Sequence, residues 1–256
     1  YVTGGEPSII KANTDMINHL IEIGNKECHV SFTTNLTTWN IDLYEKLSFF
    51  DKSEVQVSID GYKKSQEYIR YGSAWEDIDR NFKKLIELPD KVRIQIYNVF
   101  QVYNIFESHK IMKWLDSLDL KREVAFWPII IDQPLHLRAT VIPYHIRDKA
   151  KELYRDFYDY TSYNNRYLDL HGAANKIISY LESDWEPHGS YKKYCQGVEQ
   201  TEANQKYMFY QYTNFMDKVR GHSFFETFPQ FTELKEEFKE VLEWKLETPN
   251  WWVDDE

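Results

Sequence analysis

The sequence is poor in the features that mark several protein classes. Its two cysteines, Cys28 and Cys195, are too few for a disulfide scaffold. Unaided, they are also too few to ligate an iron–sulfur cluster or a structural zinc ion. No apolar run approaches the roughly 20 residues that a membrane-spanning helix needs, and no signal peptide pattern opens the chain. The histidines lack the spacings typical of zinc sites. We therefore expect a cytoplasmic protein without a membrane partner.

Basic side chains are also in deficit. The chain has 31 Lys and Arg residues against 41 Asp and Glu residues, for a net charge of −10. Phosphate backbones are bound by basic surfaces, so nucleic acid is not an expected partner. Aromatic residues, by contrast, make up 16% and hydrophobic residues 42% of the 256 residues. This is enough apolar material for a sizeable buried core.

Short β-like segments alternate with helical segments over the first two thirds of the chain. The hydrophobic pattern predicts strands over residues 28–34, 54–60, 92–100 and 123–131, and helices over 8–23, 41–50, 75–88, 106–118 and 146–160. Pro128 favours an edge position for the last strand or a bulge within it. Strand signals then fade, and helices are predicted over 173–181, 199–215 and 234–246. Repeated alternation of this kind indicates parallel βαβ units, in a doubly wound sheet or in a barrel.

The predicted strands are not uniformly apolar. Gln56 and Ser58 alternate with apolar residues in one strand, and Arg93 and Gln95 do so in the next. The strands of a doubly wound sheet are buried on both faces and read as continuous hydrophobic runs. Polar residues facing an open interior fit a partial barrel better. The favoured fold class is therefore α/β, a partial barrel of parallel strands over residues 1–160 with a mainly helical extension over residues 161–256.

Polar groups stand where successive predicted strands end. Asn35 closes one strand, and Ser58 and Asp60 close the next. A Gly-Gly-Glu-Pro motif over residues 4–7 follows a short β-like start and precedes a helix. Each group alone also fits ordinary turn chemistry. Together they would converge on the edge of the sheet where barrels place their active sites.

One basic residue follows these groups. Arg70 lies between Asp60 and the next predicted helix, in Tyr-Ile-Arg-Tyr-Gly. Its guanidinium could pair a ligand carboxylate through two hydrogen bonds, although a lone arginine is more often a surface residue.

The order Gly4-Gly5-Glu6-Pro7, Thr34-Asn35, Ser58-Ile59-Asp60-Gly61 and Arg70-x-Gly72 resembles the radical S-adenosylmethionine (SAM) enzymes, in particular the branch with SPASM or twitch extensions. The resemblance spans residue 1 to about residue 131, roughly half the chain. It implies a TIM-like partial (β/α)6 barrel that begins at its second strand, and a twitch-like extension over residues 161–256. It also implies a [4Fe–4S] cluster that reductively cleaves SAM to methionine and a 5′-deoxyadenosyl radical. A reductant such as flavodoxin or ferredoxin and a peptide or protein substrate are the implied partners.

The resemblance also assigns a set of SAM-binding residues: Gly4, Gly5, Glu6, Pro7, Asn35, Ser58, Asp60, Arg70, Asn104 and Ile130. The backbone over residues 4–7 would hold the SAM amino group, and Ser58 and Arg70 its carboxylate. Asp60 and Asn35 would lie toward the ribose or its loop. Asn104 matches a position that is often polar in the family, and Ile130, with Ile129, would flank adenine. No catalytic residue and no metal ligand is assigned.

The chain departs from the family at the cluster. The Cys-x3-Cys-x2-Cys motif that holds the cluster occurs nowhere in the sequence, which opens with Tyr1 rather than Met. We expect the cluster ligands upstream of Tyr1 and no turnover of SAM by this chain alone. The alternative is a non-catalytic, barrel-type module that binds a nucleotide-like or peptide ligand. A hydrolase or transferase is disfavoured, because no nucleophile elbow, phosphate loop or catalytic triad motif is present.

Overall fold

Four parallel strands form the main sheet. The computed structural model describes residues 1–2, 4–164, 168–184, 194–195, 198–199 and 201–243. The strands are β1 (Val30–Thr34), β2 (Ser53–Ser58), β3 (Val92–Phe100) and β4 (Val124–Ile130). Neighbouring strands pair in parallel, in the order β1-β2-β3-β4. All four predicted strands are confirmed, and Pro128 lies in an edge strand as expected.

A further parallel contact extends the sheet beside β1. Val2 forms an isolated parallel bridge with Phe32, and its backbone bonds to Ser31 and Thr33 at 2.8 and 3.1 Å. The short β-like start of the sequence therefore runs in the same direction as the four strands.

Helices connect the strands. They are α1 (Lys11–Glu22), α2 (Ile41–Lys46), α3 (Lys64–Ile69), α4 (Trp75–Leu85) and α5 (Ser108–Ser117). The helix predicted over 8–23 is wrong at its start, because Ile10 is extended, with φ −83° and ψ 110°. A 3-10 turn, Pro7–Ile9, precedes it and is capped by the Glu6 side chain. The Gly-Gly-Glu-Pro segment therefore leads into a separate turn before α1.

The two faces of the sheet differ in character. In β3, Val92, Ile94, Ile96, Asn98 and Phe100 are buried, whereas the residues between them are half-buried or exposed. The parallel register sets Gln95 beside Gln56 and Tyr97 beside Ser58 on this second face. One face thus belongs to the hydrophobic core, and the other is polar and partly open. The alternation in the sequence correctly predicted this asymmetry.

The rest of the described chain is mainly helical. It comprises α6 (Tyr144–Asn164), α7 (Leu168–Leu181), a two-residue antiparallel pair β5 (Tyr194–Cys195) and β6 (Val198–Glu199), α8 (Glu202–Arg220), α9 (Phe224–Thr227) and α10 (Lys235–Glu243). The predicted helices over 173–181 and 199–215 correspond to α7 and α8, and the end of the one over 234–246 lies outside the described residues. Across the described ranges, no helix has the length and apolar character needed to cross a membrane.

Candidate functional site

The residues assigned to SAM, apart from Arg70 at the end of α3, lie at or just beyond the carboxyl ends of parallel segments. Because the strands are parallel, these ends share one edge of the sheet. The residues placed at or just beyond this edge are Gly4 to Pro7 after Val2, Asn35 after β1, Ser58 and Asp60 at the end of β2, Asn104 after β3, and Ile129 and Ile130 in β4. We call it the carboxyl edge.

Glu6 joins the glycine segment to the end of β1. Its Oε1 accepts hydrogen bonds from the Ser8 amide and hydroxyl at 3.1 and 2.6 Å and from the Thr34 hydroxyl at 2.8 Å. Its Oε2 accepts from the Asn35 amide at 2.8 Å. The Asn35 side chain in turn accepts from the amide and hydroxyl of Thr37. Glu6 and the Asn35 side-chain oxygen therefore shape the two loops, whereas Asn35 Nδ2 has no hydrogen-bond partner within the described ranges.

The two glycines leave their backbone open. Gly4 and Gly5 have positive φ angles of 97° and 58°, which residues with a Cβ rarely adopt. Both are exposed, and a Cβ added at either would meet no atom within 4 Å. Within the described ranges, their N–H and C=O groups form no hydrogen bond with the protein. Pro7, buried, begins the following turn. A ligand could therefore approach the glycine backbone directly.

Asp60 and Arg70 form the main ion pair of the carboxyl edge. The Asp60 side chain is 5% exposed, and its Oδ2 accepts from Arg70 Nε at 2.6 Å. Its Oδ1 accepts from the Val99 amide at 2.7 Å. Burial raises the pKa of the Asp60 carboxyl, and the Arg70 charge opposes this rise. The Arg70 side chain is 33% exposed, and its terminal nitrogens have no partner among the described residues. Asp60 thus orients a cation whose outer end is free.

A tight turn places Asp60. Gln66 Oε1 accepts from the Asp60 and Gly61 amides at 2.8 and 2.9 Å. A Cβ on Gly61 would lie 2.5 Å from the Gln66 backbone nitrogen, so only glycine fits there. The turn brings α3, and with it Arg70, back against the end of β2.

Asn104 supports the same turn from the neighbouring loop. It is fully buried, and its Nδ2 donates to the carbonyls of Asp60 and Val99 at 2.8 Å each. Its Oδ1 accepts from the Gln101 amide at 2.7 Å. Its side chain is therefore engaged in holding the loops together.

The remaining assigned residues differ in how accessible they are. Ser58 is half-buried, and its hydroxyl has no hydrogen bond within the described ranges. It is the last residue of β2 and lies two residues before Asp60. Ile129 is 42% exposed, whereas Ile130 is half-buried against the core.

A cavity of about 320 Å³ opens beside the ion pair, between the carboxyl edge and α8. The sheet side contributes Asp60, Arg70 and Val99, and α8 contributes Tyr212, Met216 and Arg220, with further residues from the intervening loops. Its volume lies at the lower end of the range usual for small-molecule sites.

Side-chain contacts fix α8 over this cavity. The Tyr68 hydroxyl donates to Asp217 Oδ1 at 2.8 Å, and an Arg220 terminal nitrogen donates to the Tyr68 carbonyl at 3.1 Å. Asp217 Oδ2 accepts from the Phe224 amide at 2.8 Å. Burial is the main cause that raises the pKa values of Tyr68 and Asp217. Because Tyr68 lies two residues before Arg70, α8 anchors the segment that carries the ion pair.

A larger cavity, about 580 Å³, lies at the opposite edge of the sheet and is a weaker candidate. Its lining includes Asp90, Arg93, Arg122 and Glu123. The Arg122 guanidinium is already bonded to backbone carbonyls, at 2.5 Å to Leu88 and 3.2 Å to Asp90. The remaining charges are mixed, so no single ligand chemistry is favoured there.

Sequence reasoning missed the contribution of α8. Asp217 and Arg220 lie beyond the predicted helix over 199–215, in the region 161–256 for which the resemblance implied only a twitch-like extension. Tyr68 is 149 residues from Asp217 and 152 from Arg220, so no local pattern connects them. Gln66 was missed as well, because an internal helix glutamine gives no sign of binding a preceding turn.

No group of three His, Cys, Asp or Glu side chains in the described part of the chain is arranged to hold a metal ion. Comparison with protein-family models, with curated proteins and with solved structures finds no match for the chain.

Proposed function

We propose that the chain binds SAM at the carboxyl edge and is the nucleotide-binding part of a radical SAM enzyme. In this proposal the four-stranded sheet is part of a (β/α)6 barrel. The strand order supports it, because it follows the chain without the reversal that defines a doubly wound sheet. The polar, partly open face of β3 is a second support, since such a face fits the interior of an incomplete barrel.

The observation that carries the proposal is the free end of Arg70. Asp60 holds Nε, and the terminal nitrogens remain available for the two oxygens of a carboxylate. The free Ser58 hydroxyl, at the end of β2, would be a further donor for that carboxylate. The open carbonyls of Gly4 and Gly5 would accept from the SAM amino group. These groups match the two charged ends of the amino-acid part of SAM.

The residues of this chain do not fit the [4Fe–4S] cluster. Its two cysteines are fewer than the thiolates that such a cluster requires. Reductive cleavage of SAM, a flavodoxin or ferredoxin reductant, and a peptide or protein substrate therefore rest on the sequence resemblance alone. No step through the cluster is assigned to residues of this chain.

A non-catalytic module that binds a nucleotide-like or peptide ligand is the second candidate, favoured by the same cysteine count. The coding sequence ahead of Tyr1 separates the two. Cysteines in the Cys-x3-Cys-x2-Cys spacing would support radical chemistry, and a cysteine-free start would support the module.

SAM binding is tested by calorimetry on the wild-type chain and on Arg70→Gln. We expect Arg70→Gln to weaken SAM binding by about tenfold or more, because a charge-assisted hydrogen bond is lost. It should leave the affinity for 5′-methylthioadenosine unchanged, because that nucleoside lacks the amino-acid carboxylate.

Arg80→Gln is the matched control. Arg80 is exposed on α4, where it pairs with Asp77, and its loss should not alter either affinity. Circular dichroism would verify that each variant is folded. Failure of wild type to bind SAM, or equal binding by Arg70→Gln, would contradict the proposal.

A further inference from the structure

A second guanidinium lines the cavity under α8. Arg220, the last residue of α8, directs one terminal nitrogen to the Tyr68 carbonyl at 3.1 Å. Its guanidinium carbon lies 5.2 Å from the centre of the Tyr71 ring, a cation–π contact. No described carboxylate forms an ion pair with Arg220, and its other N–H groups have no partner in the described ranges. The side chain is therefore oriented but retains donors.

The carboxylates near Arg220 already accept hydrogen bonds from other groups. Among the described residues that line the cavity, Asp60 is the only acid, and its oxygens are occupied by Arg70 and Val99. Asp217, three residues before Arg220, has both oxygens bonded to other donors. The cavity lining thus has one net positive charge in a chain whose net charge is −10. Such a site favours an anion.

The residues that line the cavity indicate what kind of molecule bears the anionic group. Ile131, Leu137, Met216 and Tyr212 contribute apolar or aromatic surface beside Arg220. A carboxylate can pair with one guanidinium through two hydrogen bonds, and with Arg70 assigned to SAM, Arg220 is the guanidinium of this cavity that remains for it. An apolar or aromatic body would bury its surface against these side chains.

We propose that this cavity binds a small carboxylate with an apolar or aromatic body, and that Arg220 holds its carboxylate. The inference deepens the proposed function and rests on it for the assignment of Arg70 to SAM. It assigns Arg70 and Arg220 to different ligands.

Ligand-observed saturation-transfer NMR in the absence of SAM provides the test, with phenylacetate, phenylacetamide and phenyl phosphate as probes. We expect wild type to bind phenylacetate about tenfold more tightly than the neutral amide. Arg220→Gln should abolish this preference. Lys218→Gln, which removes an exposed cation from the same helix, should retain it.

Three results would overturn the inference. One is equal binding of acid and amide by wild type, a comparison that does not depend on any variant folding. Another is a preference that survives in Arg220→Gln but disappears in Arg70→Gln. The third is tighter binding of phenyl phosphate than of phenylacetate, which would make the ligand a phosphate.

The same variants separate this inference from the proposed function. Arg70→Gln should lose SAM affinity and keep the preference for phenylacetate. If wild type fails to bind SAM while its phenylacetate preference depends on Arg220, the proposed function fails and the carboxylate site stands.

Discussion

A buried histidine should make the fold sensitive to mild acid. His109 in α5 is 6% exposed, and its ring lies 5.8 Å from the ring of Tyr154. Its Nδ1 is buried and lacks a hydrogen-bond partner in the described ranges. Burial, with smaller contributions from Lys113 and Lys110, lowers the pKa of His109 to about 3. The fold therefore requires the neutral imidazole.

The sign and the size of the effect follow from the pKa difference. The pKa of His109 is lower in the folded chain than in the unfolded chain, so between these values the unfolded chain binds more protons. The contribution of His109 to stability is present above its unfolded pKa, about 6.5, and is lost as the pH falls toward the folded value. With a folded pKa of about 3, the loss at about pH 5 is about 2 kcal/mol. This is a large fraction of a typical stability of about 5–15 kcal/mol.

Urea unfolding of wild type and His109→Gln, at about pH 7.5 and about pH 5, measures this contribution. The stability of the variant should fall less between the two pH values, by about 2 kcal/mol. His145→Gln removes an exposed imidazole and should follow the wild-type pH dependence. Parallel pH dependence of wild type and His109→Gln would refute the reasoning.

Two other substitutions test the turn and the helix contact at the site. Tyr68→Phe should lower the free energy of unfolding in urea by about 1–2 kcal/mol, because Asp217 loses a donor; unchanged stability would show that the contact contributes nothing. Gly61→Ala should cost more than about 2 kcal/mol, because its Cβ would lie 2.5 Å from the backbone nitrogen of Gln66. The control Gly172→Ala, in α7 with no atom within 4 Å of the new Cβ, should instead stabilise by up to about 1 kcal/mol. Equal effects of the two alanines in urea would contradict the steric explanation.

The strands could be predicted because their signals are local. β3 occupies the predicted residues 92–100, and the alternation of Arg93 and Gln95 with apolar neighbours correctly placed polar side chains on one face. The helix over 8–23 was wrong at Ile10 because a contact outside that segment decides the geometry there. Glu6 bonds to the end of β1 and caps the turn that begins at Pro7. The spacing of apolar residues over 8–23 does not indicate that contact.

The candidate site was predictable only in part, because several of its contacts join segments that are far apart in the sequence. Ser58 and Asp60 could be chosen as candidates because they stand where a predicted strand ends. Arg70 could be chosen because it lies between that strand and the next predicted helix. The pairing of Asp60 with Arg70 and the closure of the cavity by α8 depend on tertiary contacts. The contact between Arg220 and Tyr68, across 152 residues, is of this kind.

The Asp60–Arg70 pair is itself an argument for function at this edge. An ion pair with one buried partner contributes little net stability, since removing the buried charge from water costs about as much as the attraction returns. Burial raises the pKa of Asp60 even with Arg70 in contact, so the charged carboxyl is maintained at a cost. Perturbed groups of this kind occur preferentially at functional sites. Asp60 holds the Arg70 guanidinium at Nε in one orientation. The free end of the guanidinium lies beside a cavity whose other side is formed by α8. Such a cation suits the recognition of a ligand carboxylate better than it suits the stabilisation of the fold.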